Sequence, residues 1–348
     1  MTLAATLDDA KWTFVTRRVE RSRVARTDTD FAAARPGDLI LAHVDKVGQH
    51  RRVQLPTGRP SFIFAGDAVV IACGARYAPD QFEGLAEIDP DGADLLAGGG
   101  CIGRMVARSS QVEAATRLMP AARLLDTFGN VLNLADFALA PRPAGPRPPV
   151  IGVVGTSMNS GKTLATAQLV LGLRRAGFRV GAIKITGTGA FGDYNEYADS
   201  GAHFVADFTD AGMVTTYREP LDRIKAATET LADEAGARGC DIVVMELADG
   251  LLQRETAAII ADQWFANLIS GLVFACGDAV AAAGGAAILA RHGLIPDAVT
   301  GMVSCSPMSS AEAAEATGRT VLTKADLADP AEATGFALRA GLGRKEAA

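Results

Sequence analysis

The chain has few of the residues that build covalent staples or metal clusters. Its five cysteines, Cys73, Cys101, Cys240, Cys276 and Cys305, are odd in number and at least 28 residues apart. This excludes a disulfide ladder and a CxxC knuckle, and makes a reducing cytoplasm the expected compartment. The four histidines, His43, His50, His203 and His292, have no ligand spacing, so a histidine-based zinc site is not expected. Charge of one sign is never concentrated. Lys and Arg total 34 against 40 Asp and Glu, for a net charge of -6, and no block of like charge occurs. Neither a nucleic-acid tail nor a polybasic membrane segment is expected, which leaves a small molecule as the default partner. The opening MTLAATLDDAKW carries acids where a signal peptide carries bases, so secretion is not expected. The one extended apolar run, 268–290, is broken by Gly271, Gly277, Asp278, Gly284 and Gly285. It reads as a buried strand followed by an alanine-rich helix rather than as a membrane span.

What is present suits a packed protein. Hydrophobic residues make up 49% of the 348 and charged residues 21%, enough apolar surface to offset chain ordering, and the length fits two domains of unequal size. The sharpest break is PRPAGPRPP (141–149), a run that continues neither a helix nor a central strand and reads as a semi-rigid linker. Before it, residues 1–140 alternate short β-rich runs with turn signals: DLILAHV, RRVQL, SFIF, DAVVIAC, GRMVARS and GNVLNL. That rhythm predicts a smaller, mainly-β domain, a barrel or a sandwich. Within it RYAPDQFEG (76–84) reads as a turn with Tyr77 and Phe82 packed, or alternatively as a substrate-recognition loop.

After the linker, 150–348 alternates strands with helical patterns, the signature of an α/β domain whose parallel sheet has helices on both faces. The candidate strands are VIGVVG (150–155), RVGAIKI (179–185), MVTTY (213–217), DIVVMEL (241–247), LVFAC (272–276), AVTGMVS (298–304) and TVLT (320–323). The best helix is 163–176, with Leu164, Ala167 and Leu171 on one face and Gly177 as its stop.

The segment GTSMNSGKT (155–163) follows an apolar strand and opens that helix. A nucleoside triphosphate needs many donors at close range. Glycines admit the backbone, and the helix start adds free N–H groups and a positive dipole end. The candidate phosphate-binding residues are Gly155, Thr156, Ser157, Met158, Asn159, Ser160, Gly161, Lys162 and Thr163. Lys162 is expected to reach the β and γ phosphates and Thr163 to ligate Mg²⁺, which makes the domain a P-loop NTPase sheet.

Five residues rather than four separate Gly155 from Gly161. In this spacing the second domain resembles dethiobiotin synthetase, over 150–323. The resemblance implies a Mg-ATP-dependent ligase or kinase that transfers the γ-phosphoryl to a small-molecule acceptor, a carboxylate or carbamate. It implies further that Lys184, at the end of its strand, stabilises the transferring group. Glu246 would hold Mg²⁺, with Asp249 as competitor, and a further metal aspartate would come from 192–202, Asp193 in a loop being favoured over Asp199. The exit 302–307, with Ser304 and Ser306, would face the nucleobase, and Cys305 there reads as a packing residue. The stretch 192–202 is also similar to that of the GTP-binding adaptor of molybdenum cofactor synthesis, so a slowly hydrolysing nucleotide switch stands as the alternative and ATP versus GTP is open. Two departures separate the chain from dethiobiotin synthetase itself: about 150 residues precede the loop, and Ser157 and Asn159 stand where that family can carry acids. Association into a homo-oligomer is a further expectation.

Overall fold

The computed structural model describes residues 3–142 and 147–343, so four residues of the proline-rich run, 143–146, lie outside the described residues. The chain divides into two compact units. The first holds Met1–Ala140 together with Gly187–Gly192 and Phe208–Glu219, and the second holds Pro141–Thr186, Asp193–Asp207 and Pro220–Ala348.

Five strands of the first unit, β1 (Leu39–Lys46), β2 (Ala68–Cys73), β3 (Ala93–Ala97), β4 (Cys101–Arg108) and β5 (Thr116–Leu125), form a ring in the order β2-β1-β5-β3-β4. The ring closes where β4 pairs parallel with β2, Cys101 opposite Ala72 and Ile102 opposite Cys73. Alternation along the strands sorts the two sides. Ile40, Ala42, Val44, Val69, Ile71, Leu95, Ile102 and Leu118 share one buried cluster, while Leu39, Leu41, Val70, Ala72, Leu96 and Leu124 share another. The unit is thus a small β-barrel. Two of its strands escape sequence reading for opposite reasons. All five residues of β3 are buried, so it has no alternation to detect, and β5 carries Pro120, accommodated where its register against β1 shifts between Pro120 and Ala122. GNVLNL, conversely, makes no strand. Isolated bridges join Val131 to Leu125 and Asn133 to Asp38; the turn between Leu125 and Val131 has its Asp126 carboxylate accepting from the backbone N–H of Phe128 and Asn130, and Asn133 then caps a 3-10 turn at Leu134–Phe137. At 76–84 a short hairpin buries Phe82 and sets the Tyr77 ring 5.6 Å from that of Tyr217.

MVTTY, expected as a strand of the parallel sheet, belongs instead to the barrel unit. The backbone N–H of Gly189 donates to Val214 and that of Thr216 to Gly187, both at 2.9 Å, tying the two late segments together. They sit on the barrel through the glycine turn at 98–100, where a Cβ on Gly99 would fall 1.9 Å from the Gly189 carbonyl oxygen. The Arg17 guanidinium fixes the second segment by donating to Asp210 at 2.5 Å and to the Thr209 hydroxyl.

The second unit is a six-stranded sheet of β6 (Val150–Gly155), β7 (Val180–Lys184), β8 (Phe204–Asp207), β9 (Ile242–Glu246), β10 (Gly271–Ala275) and β11 (Ala298–Thr300), ordered β8-β7-β9-β6-β10-β11. Every pairing is parallel. The flanking helices are α1 (Lys162–Arg175), α2 (Phe191–Asp199), α3 (Leu221–Ala237), α4 (Arg254–Ala261), α5 (Gln263–Leu268), α6 (Ala279–Ala290), α7 (Pro307–Thr317), α8 (Lys324–Leu327) and α9 (Pro330–Arg339). One face of the sheet, including Ile151, Val153, Ala182, Val244 and Val273, shares a buried cluster with Leu169 and Leu173 of α1 and Phe336 of α9. The other face approaches Ala235 of α3, Phe265 of α5 and Gly285 of α6, as the neighbours of Gly181, Gly152 and Phe274 show. Strands covered on both faces lose alternation, which is why these read as continuous apolar runs.

Several details depart from expectation. The edge strand β8 is short and was not expected. TVLT makes only a bridge, Val299 to Val321. AVTGMVS is a strand only to Thr300, because Gly301 turns the chain at φ 95° and Met302–Cys305 forms a 3-10 turn. On α1 the buried apolar residues are Ala165, Ala167, Leu169, Val170 and Leu173; of the expected stripe Ala167 is buried, Leu171 is partly buried and Leu164 is exposed. Gly172 has a reason: a Cβ there would sit 2.3 Å from the Leu327 carbonyl oxygen, so α1 needs a glycine to let α8 approach. The run 268–290 is strand β10 followed by α6, and no helix among the described residues is long and apolar enough to cross a membrane. The five cysteines are free thiols. Four are buried and Cys305 is exposed, which removes it from the packing role expected of it.

Candidate functional site

The loop from Gly155 to Lys162 runs from the carboxyl end of β6 into α1. It holds its shape through two left-handed residues, Asn159 at φ 62° and Gly161 at φ 102°, and through the Thr156 N–H donating to the Ala275 carbonyl at 3.0 Å. Gly155 is required by contact: a Cβ would lie 2.4 Å from Ser160 Oγ and 2.7 Å from Lys162 Cγ. Lys162 is buried and folds back over the loop, its Nζ donating to the Ser157 carbonyl at 2.7 Å. Burial pulls its pKa below the usual lysine range, although Glu246 and Asp249 oppose that shift. The Ser160 hydroxyl is buried with no hydrogen-bond partner among the described residues. A loop that buries a cation and an unpaired hydroxyl beside a helix N-terminus is a cradle suited to an anion.

The charged groups expected from β7, α2 and β9 converge here. Lys184 ends β7 opposite Glu246 of β9. Its ammonium forms an ion pair with Asp193, whose other oxygen accepts from the Thr163 hydroxyl at 3.2 Å. Burial alone would lower the Lys184 pKa, but Asp193 and Glu246 beside it more than reverse this and hold it above the ordinary range. Burial likewise works against ionised Asp193, yet Lys184 keeps its carboxyl below the usual value. Glu246 is buried and its pKa is raised by desolvation; it accepts a hydrogen bond from the Tyr197 hydroxyl, whose own pKa is pushed well up by burial and by Glu246. Asp193 was expected in a loop but stands in the first turn of α2, and Asp199 ends that helix exposed. Asp249 follows in a turn at φ 63° and adds its field to both lysines.

No group of three or more His, Cys, Asp or Glu able to hold a metal ion occurs among the described residues. The donors expected from sequence, Thr163, Asp193 and Glu246, would make an all-oxygen set with only two carboxylates. This suits Mg²⁺, which keeps most of its shell as water and substrate phosphate, better than a cation that needs an all-protein cage.

Next to the loop lies a cavity of about 280 Å³, lined on one side by Gly161, Leu164 and Ala165, and on the other by residues of the 300–305 segment other than Val303 and of the 323–327 segment other than Asp326. The segment expected to face a nucleobase therefore lines a real cavity, although Ser306 is not part of it and instead caps α7. Sequence reading missed Tyr197 and the 323–327 wall. The wall did carry a signal, the Thr323 and Asp326 pair that forms a capping box at α8.

No protein-family model matches the chain, and no curated protein matches it. Among solved structures it is similar to the signal recognition particle 54 kDa protein of Aeropyrum pernix K1 in complex with GDP, at 20% identity and a TM-score of 0.38, over 60% of this chain and 49% of that one. It is also similar to the signal recognition particle receptor FtsY of Elizabethkingia anophelis, in complex with GDP at 15% identity and a TM-score of 0.34, over 47% and 52% of the two chains. A second structure of that receptor matches at 14% identity and a TM-score of 0.32. The chain spans about half the length of each of these proteins.

Proposed function

We propose that the second unit binds a purine nucleoside triphosphate with Mg²⁺ and transfers its γ-phosphoryl group to a small acceptor bearing a carboxylate or carbamate, as a kinase or ligase. The observation that carries this reading is the second lysine. Lys162 accounts for phosphate binding, but Lys184, partly buried beside it and kept charged by Asp193 and Glu246, is one cation more than a binding loop needs.

In this reading the backbone N–H groups of 156–163 and Lys162 hold the β and γ phosphates, and Thr163 and Asp193 hold the metal, with Glu246 acting directly or through water. Mg²⁺, when bound, would offset the negative charge that develops on the phosphate oxygens. Lys184 leaves part of its pairing with Asp193 to neutralise the transferring group and the acceptor oxygen. That oxygen attacks phosphorus in line, the bond from phosphorus to the β–γ bridging oxygen breaks, and the nucleoside diphosphate leaves with the electron pair. Tyr197 keeps Glu246 oriented from beneath.

The test is nucleoside diphosphate release in the presence of pools of small carboxylic acids and amines. Release that a pool stimulates, and that falls by at least about 100-fold in Lys184→Ala with nucleotide affinity retained, supports transfer. Tight binding with turnover indifferent to every pool rejects it in favour of a nucleotide-operated switch.

A further inference from the structure

The cavity beside Gly161 has a polar inventory that says how it would treat a base. Three hydroxyls line it, and each already donates its hydrogen within the protein. Thr300 donates to the Leu322 carbonyl at 2.7 Å, Ser304 to the Gly301 carbonyl at 2.7 Å, and Thr323 to the Asp326 carboxylate at 2.8 Å. Toward a ligand these oxygens can therefore only accept. The one charged side chain in the lining is Lys324, which can only donate. The remaining side-chain surface is apolar, from Leu164, Ala165, Met302 and Leu327 among others.

We propose that this cavity is a base pocket that takes either purine with little discrimination. The inference rests on the phosphate-loop reading above and adds what that reading leaves open, the choice between ATP and GTP. Both purines carry the N7 acceptor that a lysine ammonium can meet and an amino donor that a hydroxyl oxygen can accept, and both have the same bicyclic face for the apolar walls. Strong discrimination arises where a site is built to pair a group that one ligand has and the other lacks, and it then reaches roughly 10⁴-fold, whereas apolar contact alone separates ligands only weakly. Here the inventory matches features shared by the two bases, so selection between them is weak, while the smaller pyrimidines leave apolar wall uncovered.

Cys305 lines the same cavity and is exposed, whereas the other four cysteines are buried, so thiol alkylation of the unaltered protein reads occupancy of the pocket. Calorimetry with Mg²⁺ and ATP, GTP, CTP or inorganic tripolyphosphate supplies the affinities. The expected result is ATP and GTP dissociation constants within about tenfold of each other and a weaker CTP. Cys305 alkylation is expected to be slowed by both purine nucleotides and not by tripolyphosphate, and Lys324→Ala to weaken ATP and GTP by the same factor. A preference for either purine beyond tenfold overturns the inference, as does unprotected Cys305 when all the nucleotides bind. Those results leave the phosphate loop intact. Failure of tripolyphosphate and nucleotides alike rejects the phosphate-loop reading, and the pocket with it.

Discussion

Gly301→Ala tests the site from outside its own motif. Gly301 has φ 95° and ψ -152°, a region that is essentially reserved for glycine and costs a side-chain-bearing residue about 1–3 kcal/mol. Its Cβ would also fall 2.2 Å from the Ser160 carbonyl oxygen and 2.9 Å from both the backbone nitrogen and oxygen of Cys276. These neighbours are backbone, so the collision is relieved only by a backbone shift, and the nearest backbone in its way is that of 160–161. That displacement gives up the bond from Met302 N–H to the Ser160 carbonyl, now 3.2 Å long and worth about 1 kcal/mol. The combined cost is about 2–4 kcal/mol, or a melting temperature lower by roughly 5–15 °C for a unit of this size. Under the proposed function the displaced residues aim the helix N-terminus at phosphate, so nucleotide affinity should fall by more than the stability loss alone accounts for, measurably at a temperature where the variant is fully folded. Gly277→Ala is the control, since nothing lies within 4 Å of its Cβ position. Thermal unfolding with calorimetry reads both effects. A Gly301→Ala protein with the melting point and nucleotide affinity of Gly277→Ala would refute the reasoning.

Lys162→Ala removes the cation that the loop buries and is expected to weaken triphosphate binding by about 2–4 kcal/mol, roughly 30-fold to 1,000-fold, in calorimetry; unchanged affinity rejects the phosphate role. Asp193→Asn is expected to leave metal-free nucleotide binding within about threefold and to abolish most of the gain from added Mg²⁺, and a full gain would remove Asp193 from the metal. In the barrel, burial and then the Arg76 guanidinium push the His50 pKa down to about 4 from an ordinary 6.5. The unfolded chain therefore takes up that proton first: the contribution is complete above pH 6.5, declines as pH falls toward 4, and totals at most about 3 kcal/mol, so denaturant titrations should show a steeper acid loss for wild type than for His50→Gln. Gly284→Ala, on α6 with nothing within 4 Å, is expected to stabilise the protein by about 0.5–1 kcal/mol, and a lower denaturation midpoint would contradict that.

The parts of the fold that could be read from sequence are those where local chemistry and final environment agree. Strands β6, β7, β9 and β10 are continuous apolar runs because both faces are covered, and their expected limits differ from the observed ones by one residue at most. Reading fails where a tertiary partner overrides the local pattern. MVTTY has the β-branched content of a strand, yet its hydrogen bonds go to 187–189 within the barrel unit, an arrangement no local window contains. The same cause defeats a single cut at the proline-rich run, since two segments from beyond it belong to the first unit. Pro120 hides β5 in a similar way, because a bulge that accommodates proline cannot be seen before the pairing is known.

At the site, the residues legible in advance are those whose chemistry is unusual for their place: a lysine at a strand exit, a glutamate ending a buried strand, a Gly-Lys-Thr at a strand-to-helix turn. What stayed hidden is the support. A Cβ on Gly250 would lie 2.5 Å from the Thr156 carbonyl oxygen, and one on Gly301 would fall 2.2 Å from the Ser160 carbonyl oxygen. These two glycines leave two different strand exits and reach the same loop backbone at distances no side chain could share. A loop hemmed in by backbone on several sides is held in one conformation before any ligand arrives, and the ordering that phosphate binding would otherwise require is already complete in the folded chain. The motif spells out the groups that the proposed function assigns to phosphate, while Gly250 and Gly301, 89 and 140 residues beyond Gly161, hold the backbone that presents those groups.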